Sequence, residues 1–187
     1  MEASMIDERA GPSDGSDLGG ALVRSLVLYS VAEAQAGHVR KIAVQARGKR
    51  FAVSDDGRGH STGKTIDGTP YLSFIYEHLA YPFGLSAPGA VQLQGLGMSL
   101  INSLCEELLV QVRRGEQQAS YRYAHGRLLQ KTLEPAPGQA SGNNLRGRLC
   151  AALAAHPIDE VVLGQWLEGL RPSLPGVCIR FNEEEPA

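Results

Sequence analysis

Hydrophobic positions along the chain change their period several times, and each change marks an element. Leu22, Val23, Leu26, Val27, Val31 and Ala34 recur at the spacing of one helix face, and Gly37 stands where a left-handed C-cap belongs. A helix over roughly 19–36 is predicted. Ile42, Val44 and Ala46 then alternate with polar residues, and after the polar turn 47–50 the run from Phe51 to Ser54 forms the return strand of a β-hairpin. The stretch from Asp55 to Gly63 is too rich in Gly and turn-formers to continue the strand, so it predicts a loop hung from a strand end. Pro70 opens a short helix from Tyr71 to Ala80, stopped by Pro82.

Residues 82–95 hold Pro82, Gly84, Pro88, Gly89 and Gly95 without periodicity, the composition of a mobile cover over a site. Gly97 leads into a third helix, Met98 to Cys105. Strands are predicted at about 107–113, 118–125 and 128–134, then a loop over 135–144, a strand over 146–151, a helix over 158–171 around Trp166, and a last strand over 176–181. Hairpins interleaved with helices predict an α/β two-layer sandwich: a mixed, mostly antiparallel sheet with helices on one face. Residues 1–18, whose second half from Gly11 to Asp17 is all turn-formers and polar residues, are expected to form a loose arm, 19–182 one domain, and 183–187 an acidic tail.

Composition narrows the function. Eighteen Lys and Arg against twenty Asp and Glu give a formal charge of -2, so no sequence-wide basic field exists to hold a phosphate backbone, and direct DNA binding is not expected. Cys105, Cys150 and Cys178 are odd in number and far apart, which supports neither a disulfide framework nor a zinc site and fits a reduced, cytoplasmic setting. The five histidines (His38, His60, His78, His125, His156) lack ligand spacing, so no metal site is expected. No long apolar run occurs, and the first residues are acidic where a signal peptide is basic, so neither a membrane span nor secretion is expected.

Two motifs are decoys. Gly59 to Thr65 has three residues between its glycines where a phosphate loop has four, and Arg58 stands where the first glycine would be needed. Gly95 and Gly97 have no third glycine to complete a dinucleotide fingerprint. What remains is Asp55, Asp56, Gly57, Arg58 and Gly59, followed about forty residues later by Gly95, Leu96 and Gly97 at a helix start. A carboxylate at a strand end can accept from an adenine amino group while neighbouring glycines admit the base, and glycines at a helix N-terminus present N–H groups to phosphate.

In that order these motifs resemble the ATP-binding domain of the DNA gyrase B subunit and its topoisomerase IV counterpart, within the GHKL superfamily. The resemblance also runs through Ala36 to His38, Ile42 to Val44, Met98 to Leu104, Tyr123 to Gly126, Arg146 with Gly147, and Gly176 to Arg180, about residues 14–182. It implies a Bergerat-type ATP-binding fold in which Asp55 meets adenine, Gly57, Arg58 and Gly59 wall the pocket, Gly95, Leu96 and Gly97 attend the phosphates, and 82–97 form a lid. ATP or ADP is the implied ligand.

The departures matter equally. Family members carry a catalytic glutamate on helix one and, four residues later, an asparagine that ligates Mg²⁺; in this register the positions hold Ser25 and Tyr29. A hydroxyl cannot serve as a carboxylate base, and tyrosine is a poor Mg²⁺ ligand, so no catalytic residue is retained and Mg²⁺ loses its family ligand. Glu33 lies further along and, by helical arithmetic, faces elsewhere. Arg148 stands where a family threonine contacts the adenine end, Gln94 replaces a lid histidine, Ser61 a proline, and Pro82 lies near a lid lysine. The expectation is a stand-alone nucleotide-binding domain, deficient in hydrolysis, that acts as a binding or regulatory module with an unidentified protein partner. An ATP-hydrolysing domain of a type II topoisomerase, and an interaction scaffold without nucleotide, stand as the alternatives.

Overall fold

The computed structural model describes residues 17–78, 97–153 and 157–183. The lid segment, Gln94, His156 and nearly all of the arm and acidic tail therefore lie outside the described residues. Helix α1 spans Leu18–Gln35, and Asp17 caps it by accepting from Gly20 N at 3.1 Å. Its end is reversed by Gly37 at φ 82°, a backbone conformation open to glycine. The hairpin follows as β1 (Lys41–Arg47) and β2 (Arg50–Asp55).

A two-residue ribbon, β3 (Thr65–Ile66) and β4 (Thr69–Pro70), interrupts the predicted loop before α2 (Tyr71–Glu77). Helix α3 covers Met98–Ser103, then β5 (Cys105–Arg114), β6 (Gln117–Ala124) and β7 (Arg127–Pro135) form the antiparallel meander. Strand β8 (Gly142–Leu149), helix α4 (Glu160–Leu170) and β9 (Cys178–Phe181) complete the order. Asp159 caps α4, accepting from Val161 N and Val162 N at 3.0 Å, so this helix starts two residues later than its periodicity predicts.

One correction has structural weight. The strand expected over 146–151 begins at Gly142, inside the predicted loop, and pairs antiparallel with β5 on one side and β2 on the other. It joins the meander to the hairpin in the sheet order β7-β6-β5-β8-β2-β1-β9. Gly142, Asn143 and Asn144 are turn-formers by local propensity, but pairing on both edges overrides it. Only β1 and β9 run parallel among the pairs of this sheet.

Alternation divides the sheet cleanly. Ile42, Val44, Phe51, Val53, Leu108, Val110, Val112, Tyr121, Tyr123, Leu145 and Ile179 face inward and are buried against Leu22, Val23, Leu26 and Val27 of α1, Ile101 of α3, and Leu163 and Leu167 of α4. The outward positions of the same strands are mostly polar or charged, with Ala43, Ala52 and Leu109 as apolar exceptions.

Candidate nucleotide site

Asp55 ends β2 on the helix-covered face of the sheet, half-buried, opposite Asn143 of β8. Its carboxylate accepts four contacts. Ser30 Oγ of α1 donates to Oδ2 at 2.8 Å, Gly57 N to Oδ1 at 3.0 Å, and Asn143 Nδ2 to both oxygens at 3.2 Å. Asn143 is itself fixed, because its Oδ1 accepts from His60 N at 2.9 Å. One carboxylate thus ties α1, the end of β2, the glycine loop and β8 together.

The glycines of the loop are required by space. Gly57 lies so close to Val39 that a Cβ would meet its Cγ2 at 2.6 Å. Gly59, at φ 72°, presses against β5, where a Cβ would meet the Arg113 carbonyl oxygen at 2.5 Å, and its own carbonyl accepts from Arg114 Nη1 at 2.9 Å. Asp56 does something different from its neighbour: its Oδ1 accepts from Arg40 N and Lys41 N, each at 2.8 Å, and so fixes the start of β1.

Arg58 points to α1. Its guanidinium donates twice to Glu33, Nε to Oε2 at 3.0 Å and Nη2 to Oε1 at 2.8 Å, and this pairing holds the Glu33 carboxyl below its usual range. Glu33, set aside on helical arithmetic, is therefore one more tether of the glycine loop, beside Asp55, Asn143 and Arg114. His60 sits beside Tyr71 and Tyr76, 6.5 Å from each ring centre; burial lowers its pKa, opposed by the charges of Asp55 and Glu33. The Tyr76 hydroxyl is buried without a partner, and burial holds the phenol protonated by raising its pKa well above the ordinary value.

On α1, Ser25 is buried and its hydroxyl donates to the Ala21 carbonyl at 2.8 Å, while Tyr29 packs half-buried against the core. Gly97 is the extended residue before α3, with φ -64° and ψ 148°; Gly95 and Leu96 lie outside the described residues. The Arg148 expectation is corrected. Arg148 pairs with Arg50 at the opposite end of β8 and makes ion pairs with Glu106 and Glu107 at 3.2 and 3.3 Å, so the residue facing Asp55 across the sheet is Asn143. Ser30 and Asn143 are the members that sequence reasoning missed. A weak signal for the first existed: Ser25 and Ser30 interrupt the apolar face of the first helix.

Among the described residues, no three His, Cys, Asp or Glu side chains come together to hold a metal ion, and no helix is long and apolar enough to cross a membrane.

No family model matches the chain. Among curated proteins, the chloroplastic/mitochondrial DNA gyrase B protein of Oryza sativa subsp. japonica is 30% identical over 136 residues, 67% of this chain and 19% of that protein. The chain thus spans about a fifth of the length of the curated relative it matches. Among solved structures, the 43K ATPase domain of Thermus thermophilus gyrase B, in complex with an aminocoumarin, aligns with a TM-score of 0.70 at 21% identity, covering 86% of this chain and 42% of that one. The fold is that of the gyrase B ATPase domain.

Proposed function

We propose, for a chain that is a homologue of the gyrase B ATP-binding domain within the GHKL superfamily, that it binds an adenine nucleotide at Asp55 without hydrolysing it at a useful rate, and so acts as a binding or regulatory module. The observation that carries this reading is the contrast across the site. Asp55 keeps an acceptor-only carboxylate on the helix side of the sheet, matched to an exocyclic amino group, within the glycine turn of Gly57 and Gly59. The adenine end keeps its acceptor. Where the resemblance expects a base and a Mg²⁺ ligand, α1 carries Ser25 and Tyr29, and the Ser25 hydroxyl is already donated to its own helix. Mg²⁺ prefers carboxylate or amide oxygens, so these two residues do not fit it.

Gly57, Arg58 and Gly59 wall the proposed pocket, and Gly95, Leu96 and Gly97 would serve the phosphates through backbone N–H groups. Asp55 already receives four contacts, close to the full capacity of a carboxylate, so a base amine must share or displace one. Binding is therefore weak. Calorimetric titration with ATP and ADP, each with and without Mg²⁺, tests the proposal: weak binding indifferent to Mg²⁺ is expected, and submicromolar, strictly Mg²⁺-dependent ATP binding refutes it.

The name of the rice relative supports a second reading, an ATPase domain of a type II topoisomerase. Turnover separates the two. A protein partner and a reduced, cytoplasmic setting belong to the same proposal, the latter supported by three cysteines that are all free.

A further inference from the structure

The face of the sheet turned away from the helices carries a row of arginines in register. Arg47 of β1 pairs across from Arg50 of β2, and Arg50 from Arg148 of β8; one row further, Arg146 lies two residues from Arg148 on the same strand. Arg122 of β6 stands across from Leu109 of β5, which in turn faces Arg146. Like charges directly opposite on a sheet are destabilising, so this row is a standing cost to the fold. Among the described residues the guanidinium groups of Arg47, Arg50 and Arg122 have no hydrogen-bond or ion-pair partner, and that of Arg146 donates only to the Asn144 side chain, at 3.2 Å.

These side chains surround a depression of about 990 Å³ floored by Ala52 and Leu109. A second depression, about 400 Å³, continues from Arg146 toward Lys41 and Arg180. The acids at the rim are paired but not all cancelled: Arg148 bridges both Glu106 and Glu107, which leaves one carboxylate charge over, and Glu183 lies 3.8 Å from Arg180. The free charge of the face is cationic although the chain as a whole is at -2.

We propose that this face is a docking surface for an acidic segment of a protein partner, whose carboxylates pair with Arg47, Arg50, Arg122 and Arg146 while its apolar residues rest on Leu109 and Ala52. Planar guanidinium groups suit both carboxylate and phosphate. Two observations favour the peptide over nucleic acid. Phe51 and Tyr123, the aromatic residues lining the depression, are buried, so no ring is presented for bases to stack on. The carboxylate charge left over at Glu106 and Glu107 repels a uniformly charged phosphate chain, whereas a mixed peptide can avoid it. The main depression is lined by none of Asp55, Gly57, Gly59 or Asn143, so the docking surface does not rest on the nucleotide proposal, although the second depression runs on to Asp55 and Asn143 where β2 and β8 meet.

Fluorescence anisotropy with a labelled octapeptide of alternating glutamate and leucine, alongside an octadeoxythymidylate, tests it at low ionic strength. Saturable peptide binding is expected, weakened at least tenfold by the pair Arg47→Glu and Arg50→Glu and several-fold by Arg122→Gln on a separate strand. The pair Lys64→Glu and Lys131→Glu, which changes net charge equally away from this face, should bind as wild type. Thermal melting checks that each variant is folded. Absence of saturable peptide binding, equal affinity in the arginine variants, or equal loss in the lysine pair overturns the proposal. Tighter binding of the oligonucleotide would assign the face to nucleic acid, and peptide binding gained only on deleting residues 184–187 would assign it to the chain's own acidic tail; either result also overturns the proposal.

Discussion

Replacing Asp55 by asparagine perturbs stability and binding through a single atom. The carboxylate accepts from Ser30 Oγ at 2.8 Å, Gly57 N at 3.0 Å and Asn143 Nδ2 at 3.2 Å to each oxygen. An amide keeps one acceptor and turns the other into a donor. Ser30 can adapt, because a hydroxyl also accepts, and Gly57 N can keep the amide oxygen. Asn143 cannot adapt by turning over: its Oδ1 already accepts from His60 N at 2.9 Å, and the turned amide would set NH₂ against that N–H. One pair of facing amino groups therefore remains, at a position where Asn143 is 9% exposed and water offers little relief. A hydrogen bond to a charged group contributes about 1.5–3 kcal/mol, and the amide retains part of it, so Asp55→Asn should destabilise by roughly 2 kcal/mol. For a chain of this size that is a fall in Tm of about 4–8 °C. Thermal melting and urea unfolding measure the loss, and calorimetric titration of ADP on the same samples reads the binding. A folded variant with that loss and with ADP binding abolished is the expected outcome; a variant that melts and binds as wild type does would refute the central place given to this carboxylate.

Ser30→Ala relieves Asp55 of one donor, so ADP should bind several-fold tighter while stability drops by about 1 kcal/mol; unchanged affinity in calorimetry counts against competition for the carboxylate. Wild-type protein should release no phosphate from ATP above background, and the pair Ser25→Glu and Tyr29→Asn should not suffice to start turnover, because phosphoryl transfer depends on water, metal and charge being positioned together. Wild-type turnover that rises with protein concentration would instead mark a working, dimer-dependent ATPase. Burial lowers the His60 pKa below its usual 6.5, so the unfolded chain takes up that proton first and stability falls as pH drops below about 6.5. Urea midpoints across this range should flatten in His60→Asn; the lowered Glu33 carboxyl acts separately, its contribution being lost below about 4.5.

What the sequence disclosed follows from how local each signal is. Helix α1 and the β1–β2 hairpin are legible because their apolar periods of 3.6 and 2 are uninterrupted over a whole element. Strand β8 is half hidden because Gly142, Asn143 and Asn144 carry turn chemistry, and only pairing with β5 and β2 makes them a strand. Asp55 stood out through its glycine context, whereas its partners lie 25 residues before it at Ser30 and 88 after it at Asn143, separations at which no spacing rule operates. Asp55 and Asp56 look equivalent in sequence, yet the first gathers the site and the second fixes the start of a strand. Arg148 was misplaced for the same reason as β8: once the strand begins at Gly142, the residue opposite Asp55 falls five positions earlier.

The two proposed surfaces share one piece of geometry, the register between β2 and β8. Asp55 opposite Asn143 places the nucleotide carboxylate on the inner face, and Arg50 opposite Arg148 places the arginine row on the outer one. Because side chains alternate strictly, a slip of one residue would bury the arginines and expose the carboxylate. Phe51 opposite Gly147 holds the register: the phenyl ring lies where a Cβ on residue 147 would meet its Cζ at 2.5 Å, so glycine is what lets Phe51 enter the core at that step. A larger residue at position 147 has to displace that ring or shift the strand. Either movement would disturb Asp55 on one face and Arg50 on the other together, which makes Gly147, a residue in neither site, the point on which both depend.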